Sequence, residues 1–242
     1  MRLTDFKILT FDCYGTLIDW ETGLLAALAP LIARAGVTHG QALEDFAEQE
    51  SAQEAATPDS LYAAILTAVH ARLGKLWGVP TTAEDDRNFG RSVPAWPAFP
   101  DSAAALAYLK QHYRLVILSN VDRENFAGSN ARLGVTFDAV HTAEDIGSYK
   151  PDPRNFRYLL DRIGEQGFGR ADVLHVAQSL YHDHGPANDA GITSVWIDRR
   201  AGKSGGGATR KPPRAPRYAW RFATLAALVT AHQAERARNA AV

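Results

Sequence analysis

The chain has 242 residues, enough for one large domain or one domain with a sizeable insertion. Its 26 basic and 27 acidic side chains nearly cancel, so nothing in the overall charge draws it to nucleic acid or anionic lipid. One cysteine, Cys13, excludes an internal disulfide framework and a multi-cysteine zinc site, and no apolar run approaches the ~20 residues that span a bilayer. Residues 1–5 carry an acid and run straight into a strand pattern, unlike a signal peptide. The expectation is a soluble cytoplasmic protein with no membrane or nucleic-acid partner.

Residues 6–11 form the first of five compact apolar runs; the others are 115–118, 139–142, 173–176 and 194–197. Little alternation within each run suits strands buried on both faces, as in a parallel sheet. From about residue 19 to 98 the pattern is helical. Leu24, Leu25, Leu28, Leu31 and Ile32 fit one amphipathic helix, and Leu43, Phe46 and Ala47 start a second. Leu61, Ile65, Leu66, Val69 and Leu73 fit a third with Pro58 and Asp59 at its start, and Phe89 and Val93 lie on a shorter fourth. The interval is too long for one crossover and reads as an inserted helical cap. The expected division is a core of residues 1–18 and 97–242 and a cap of 19–96, with proline-dense 94–100 as the return hinge. Helical patterns follow at 101–112, with Asp101 as N-cap, and at 125–133 and 153–163. Strands alternating with helices predict a doubly wound, Rossmann-like α/β fold. Residues 201–217 hold Gly202, Gly205, Gly206 and Gly207 with five basic side chains. They read as a solvated loop, or alternatively as a cationic flap toward an anionic substrate. Gly202-Lys203-Ser204 is no phosphate loop, because Ile197 stands where that motif needs glycine. A last helix is expected over 222–237.

In an open α/β sheet, ligands sit outside the carboxyl ends of the strands. Asp12, Cys13, Tyr14, Gly15 and Thr16 follow the first strand, and Ser119 and Asn120 the second. Tyr149, Lys150 and Pro151 lie beyond the third; Gln178, Ser179, Tyr181, His182 and Asp183 lie beyond the fourth. One rim thus gathers two carboxylates, hydroxyls and an ammonium, the grouping that covalent carboxylate catalysis needs. The lysine keeps a nucleophilic carboxylate charged, and hydroxyl donors aim it. Cys13 reads as a buried strand-end filler.

These motifs, 11–17, 118–120, 149–152 and 176–183 with 188–192, occur in the order found in the haloacid dehalogenase superfamily, which the whole chain resembles. Its phosphatases carry a second aspartate where Tyr14 stands, and a metal-binding aspartate where Gln178 stands. The pattern is instead similar to the type II 2-haloacid dehalogenases. That resemblance implies no metal and no cofactor. It also implies attack by Asp12 at Cα of a small 2-substituted carboxylic acid, and an aspartyl ester that water hydrolyses to the 2-hydroxy acid. In this scheme Lys150 keeps Asp12 ionised, Thr16 and Ser119 orient it, and Asp183 positions Lys150 and the water. Tyr14, Asn120, Gln178 and His182 contact the substrate. A homodimer is a family-level expectation.

The sequence also departs from that family. Ala47 stands where type II dehalogenases place a halide-binding arginine, and the stretch around it is acidic: Glu44, Asp45, Glu48, Glu50 and Glu54. Phe156, Gln178 and Leu180 replace further family residues. Acid in place of a cation suits a cationic leaving group, and four stretches look very similar to a branch that opens the ring amine of (S)-azetidine-2-carboxylate. A solvated helix face is the plainer reading of those acids. His182 and His184, beside Asp183, suggest a proton relay to a leaving amine. Trp20, Phe46, Tyr62, Trp77 and Trp96 are available to exclude water or simply to pack. A Mg²⁺ phosphatase and a non-catalytic binding protein are the alternatives of other classes.

Overall fold

The computed structural model describes residues 1–202 and 207–240. Six parallel strands form one sheet in the order β3-β2-β1-β4-β5-β6. They are β1 (Ile8–Phe11), β2 (Arg114–Ser119), β3 (Ala139–Thr142), β4 (Val173–Ala177), β5 (Thr193–Ile197) and β6 (Trp220–Phe222). The chain leaves β1 toward β2 and β3, then returns beside β1 to build β4, β5 and β6. The sheet therefore reverses direction between β1 and β4, which opens a crevice at their carboxyl ends. β1 and β4 are buried along their whole length, as central strands covered on both faces must be. Alternation divides their side chains. Ile8 packs with Val116, Leu118, Phe156, Leu159 and Ile163 under one helix, whereas Leu9 and Phe11 join the large core on the other face.

Four helices lie between β1 and β2: α1 (Trp20–Ala35), α2 (His39–Ala56), α3 (Tyr62–Leu76) and α4 (Ala83–Gly90). Asp19 caps α1 by accepting from Thr22 N, and Gly36 ends it with φ +68°. The outgoing and returning chains pair with each other: Asp19 N donates to Pro97 O (2.7 Å) and Phe99 N to Leu17 O (3.0 Å). The remaining helices are α5 (Ser102–Leu109), α6 (Arg123–Leu133), α7 (Ala143–Ile146), α8 (Arg154–Gly164), α9 (Gly185–Asp189) and α10 (Leu225–Ala240). A π-turn, Leu180–His184, joins β4 to α9. No single helix is long and apolar enough to cross a membrane, by a search of the described residues.

The expected α/β parallel sheet is observed, with corrections at the ends of elements. Phe222 belongs to β6, not to the last helix; a three-residue edge strand leaves too short a pattern to read. α3 starts at Tyr62, so Pro58 and Asp59 lie in the preceding turn and Leu61 is exposed. Phe89 and Val93 fall on separate elements, α4 and a short 3-10 turn. Asp101 makes no cap hydrogen bond to α5; its carboxylate accepts from Ala226 N of α10 (3.0 Å) and from Arg199. Lys203, Ser204, Gly205 and Gly206, read above as part of a loop, lie outside the described residues.

Candidate active site

Asp12 leaves the end of β1 at the crevice. Thr16 Oγ1 donates to its Oδ2 (2.7 Å) and itself accepts from Gln178 N (2.9 Å), so that hydroxyl is aimed. Gly15 allows the tight turn between them with φ +88°. Lys150 is 1% exposed. Its Nζ donates to Asp12 Oδ1 (2.9 Å), Asp183 Oδ1 (2.7 Å) and Leu118 O (2.9 Å), which uses all three protons. Asn120 grips the Lys150 backbone on both sides: Oδ1 accepts from Lys150 N (2.7 Å) and Nδ2 donates to Lys150 O (2.9 Å).

Asp183 sits in the π-turn after β4 and is wholly buried. A carboxylate only accepts, so His175 Nε2 carries a proton and donates to Asp183 Oδ1 (3.0 Å), while Thr10 Oγ1 bonds His175 Nδ1 (2.8 Å). Thr10 and His175 are direct register partners on β1 and β4. Sequence reasoning did not bring Thr10 into the site. The available signal was a polar residue in each of two otherwise apolar central strands, which must find a partner.

The charges follow from this geometry. Burial raises the Asp12 carboxyl, against the pull of Lys150 and Thr16. Burial also opposes charge on Lys150 and Asp183, but there the partners win: the two carboxylates hold the ammonium above its usual range, and Lys150 with His175 holds Asp183 well below the carboxylate range. Burial lowers His182 to about 4, leaving its imidazole neutral near pH 7.

A cavity of about 40 Å³ is lined by Asp12, Lys150 and Asp183 together with Tyr14, Asn120, Gln178 and His182. Seven of the nine expected site residues therefore face one space. Thr16 does not line it but bonds Asp12. Ser119 does not line it either; its hydroxyl is buried without a partner among the described residues. Tyr14 offers its ring, since its hydroxyl is hydrogen-bonded to Ser129 Oγ (2.8 Å). His184 is turned away, its ring bonded to Ser194 Oγ (2.8 Å) and Ala177 O (3.0 Å), so of the two histidines expected to form a relay only His182 lines the cavity. Trp20 and Tyr62 line the cavity, Phe46 and Trp96 are core residues, and Trp77 bonds Asp45.

The far wall comes from α2. Glu50 and Glu54 are 5% and 7% exposed and line the cavity, whereas Glu44 and Glu48 are exposed. The acidic stretch thus divides into a solvated face and a buried one. Glu50 and Glu54 continue the buried stripe of Leu43, Phe46 and Ala47 at helical spacing, a signal present in the sequence. Thr209 closes the cavity from the 201–217 segment, where Ala208 N donates to Glu21 Oε1 of α1 (3.1 Å). Arg199, also unanticipated, donates twice to Thr16 O (3.1 and 2.9 Å) and grips Asp101, fastening the loop after Asp12 to the return crossing.

A divalent cation does not suit this arrangement. Mg²⁺ takes six oxygens in octahedral geometry. The Lys150 ammonium occupies the position between the two carboxylates, and Gln178 supplies no charge. Among the described residues no three His, Cys, Asp or Glu side chains are grouped to hold a metal.

A family model described as haloacid dehalogenase-like hydrolase matches residues 6–191. The (S)-2-haloacid dehalogenase 4A of Burkholderia cepacia is 33% identical over 106 residues, 43% of this chain and 44% of that protein. The phosphoserine phosphatase of Thermus thermophilus is 30% identical over 128 residues, 50% of this chain and 49% of that protein. The chain thus spans about half the length of these two relatives. The L-2-haloacid dehalogenase of Xanthobacter autotrophicus with chloropropionic acid covalently bound has a similar fold: TM-score 0.76, 18% identity, covering 92% of this chain and 96% of that one. The family model spans well over half of the chain and includes every residue of the Asp12, Lys150 and Asp183 cluster: the chain belongs to the haloacid dehalogenase-like hydrolases.

Proposed function

We propose that this chain is a metal-independent hydrolase that displaces a leaving group from Cα of a small 2-substituted carboxylic acid. The observation that carries this is the ammonium of Lys150 hydrogen-bonded to both Asp12 and Asp183 at the sheet's reversal point. A carboxylate nucleophile needs a counter-charge more than it needs a Lewis acid. In the first step an Asp12 oxygen bonds Cα from behind, and the leaving group departs with the bonding pair. In the second, water attacks the Asp12 ester carbonyl. Lys150 stabilises the oxyanion there; the bond from the Asp12 carbonyl carbon to the ester oxygen then breaks, that oxygen takes the added hydroxyl's proton and departs as the 2-hydroxy acid, and the Asp12 carboxylate is restored. Asp183 Oδ2, buried and unpartnered among the described residues, is available to accept the water's proton. Thr16 orients Asp12, and Asn120 positions Lys150 through its backbone. Residues 19–96 serve as a lid that keeps water from blunting the nucleophile.

Two leaving groups compete. The likeness to 2-haloacid dehalogenases favours halide. The cavity wall favours a ring amine, because Lys150 is the only cation among the described residues that line the cavity, and it is engaged by Asp12 and Asp183. A strained ring nitrogen that enters protonated leaves as a neutral amine, so ring opening needs no further acid.

The test is a substrate panel of (S)-2-chloropropionate, fluoroacetate, (S)-azetidine-2-carboxylate and a phosphate ester, each with and without EDTA. The expected result is EDTA-resistant turnover of at least one 2-substituted acid, lost in Asp12→Asn. EDTA-sensitive turnover of the phosphate ester alone would make it a phosphatase, and binding without turnover would make it a binding protein.

A further inference from the structure

The cavity wall opposite Asp12 is under-satisfied as well as acidic. Glu50 and Glu54 lie one turn apart on α2, both buried against the cavity. Glu50 accepts from the Tyr62 hydroxyl (2.5 Å). The one hydrogen bond recorded for Glu54 among the described residues, from Asn120 Nδ2, is stretched to 3.5 Å. A bond of that length contributes little, and a buried carboxyl so poorly served marks a place for a partner. Two other buried atoms of cavity-lining residues have no partner among the described residues: Asp183 Oδ2 and His182 Nε2.

We propose that Glu50 and Glu54 form a cation subsite, taking the ammonium of a small zwitterionic carboxylic acid whose Cα faces Asp12. The charge arrangement supports it. Four carboxyls line the cavity, and Lys150 is already bonded to two of them. The titratable and polar groups that line the cavity with the pair include Tyr62 from α3, Asp12, Tyr14, Asn120 and Lys150 from the strand ends, and His182 with Asp183 from the π-turn. Lys150 is the one cation among them, while Glu54 also borders an adjoining cavity with Tyr149, Arg154 and Arg210. With no ligand the pair holds protons: burial lifts Glu50 to about 7, and burial with the charge of Glu50 lifts Glu54 well above its ordinary value. An arriving ammonium takes over from a proton, so binding releases protons and tightens as pH rises. The proposal rests on the reading above only in taking this cavity as the substrate's.

Proline and tetrahydrofuran-2-carboxylate test it, because their rings and carboxylates match and only the ring ammonium differs from the ring oxygen. Calorimetry on the wild-type protein, with both enantiomers of each, between pH 6 and 8 and in buffers of different ionisation enthalpy, reads affinity and proton release together. The expected result is proline binding at least about tenfold tighter at pH 8, with proton release. That preference should fall below about threefold in Glu50→Gln and in Glu54→Gln. Equal affinities, no measurable proline binding, or a preference kept in both variants would overturn the subsite. If a variant fails to fold, proton release by the wild type decides, and its absence counts against the proposal. Asp12-dependent turnover of a 2-haloacid with no preference for proline would leave the nucleophile standing and remove only the subsite.

Discussion

At the scale of residues, one ammonium is divided between two buried carboxylates, and the division assigns their work. Asp183 has two donors and stays ionised; Asp12, with its carboxyl raised by burial, is the one that protonates first as pH falls. The acid limb of kcat/KM should therefore lie above the ordinary aspartate value of about 3.9, and a limb at or below it would contradict the assignment of Asp12. Lys150→Met leaves two carboxylates facing each other without a cation. Urea unfolding at pH 8 should register a loss of about 3–5 kcal/mol, less at pH 5 where the pair takes up a proton. Most of this cluster was legible because each member follows a strand run. Thr10 and His175 were harder to place, since their role depends on strand register, which only the folded sheet defines.

At the scale of elements, the two chain crossings between sheet and inserted helices decide how those helices sit over Asp12. Gly23 on α1 lies against Trp96 of the return crossing, and a Cβ there would meet Trp96 Cγ at 2.3 Å. Gly23→Ala should cost about 1–3 kcal/mol in urea unfolding, because a buried indole cannot move aside without shifting the hinge. An unchanged midpoint would show that the contact is loose. Strand–helix alternation and the proline-dense return were plain in the sequence. The segment at 207–209 was not, because its docking depends on Glu21, far away in the chain. The side of α2 that faces Asp12 was readable from its buried stripe, yet acids on a helix also fit a solvated face, and spacing alone does not decide between them.

At the scale of the whole molecule, the buried carboxyls tie stability to pH. Glu50 is raised from 4.5 to about 7 by burial, so the folded chain holds a proton that the unfolded chain has released. Its contribution is fully present below about pH 4.5 and is lost as pH rises through 7. Glu50→Gln keeps an oxygen for the Tyr62 hydroxyl and removes the titration. It should flatten the fall in stability between pH 5 and 8, gaining on the order of 2 kcal/mol at pH 8; a parallel curve would show that Glu50 does not titrate there. The central claim, that an Asp12 oxygen becomes the product hydroxyl, is tested most directly by one turnover with enzyme in excess in ¹⁸O water. Product with an unlabelled hydroxyl, and one label in the Asp12 side chain, is the expected result; a labelled hydroxyl in that first turnover would contradict it.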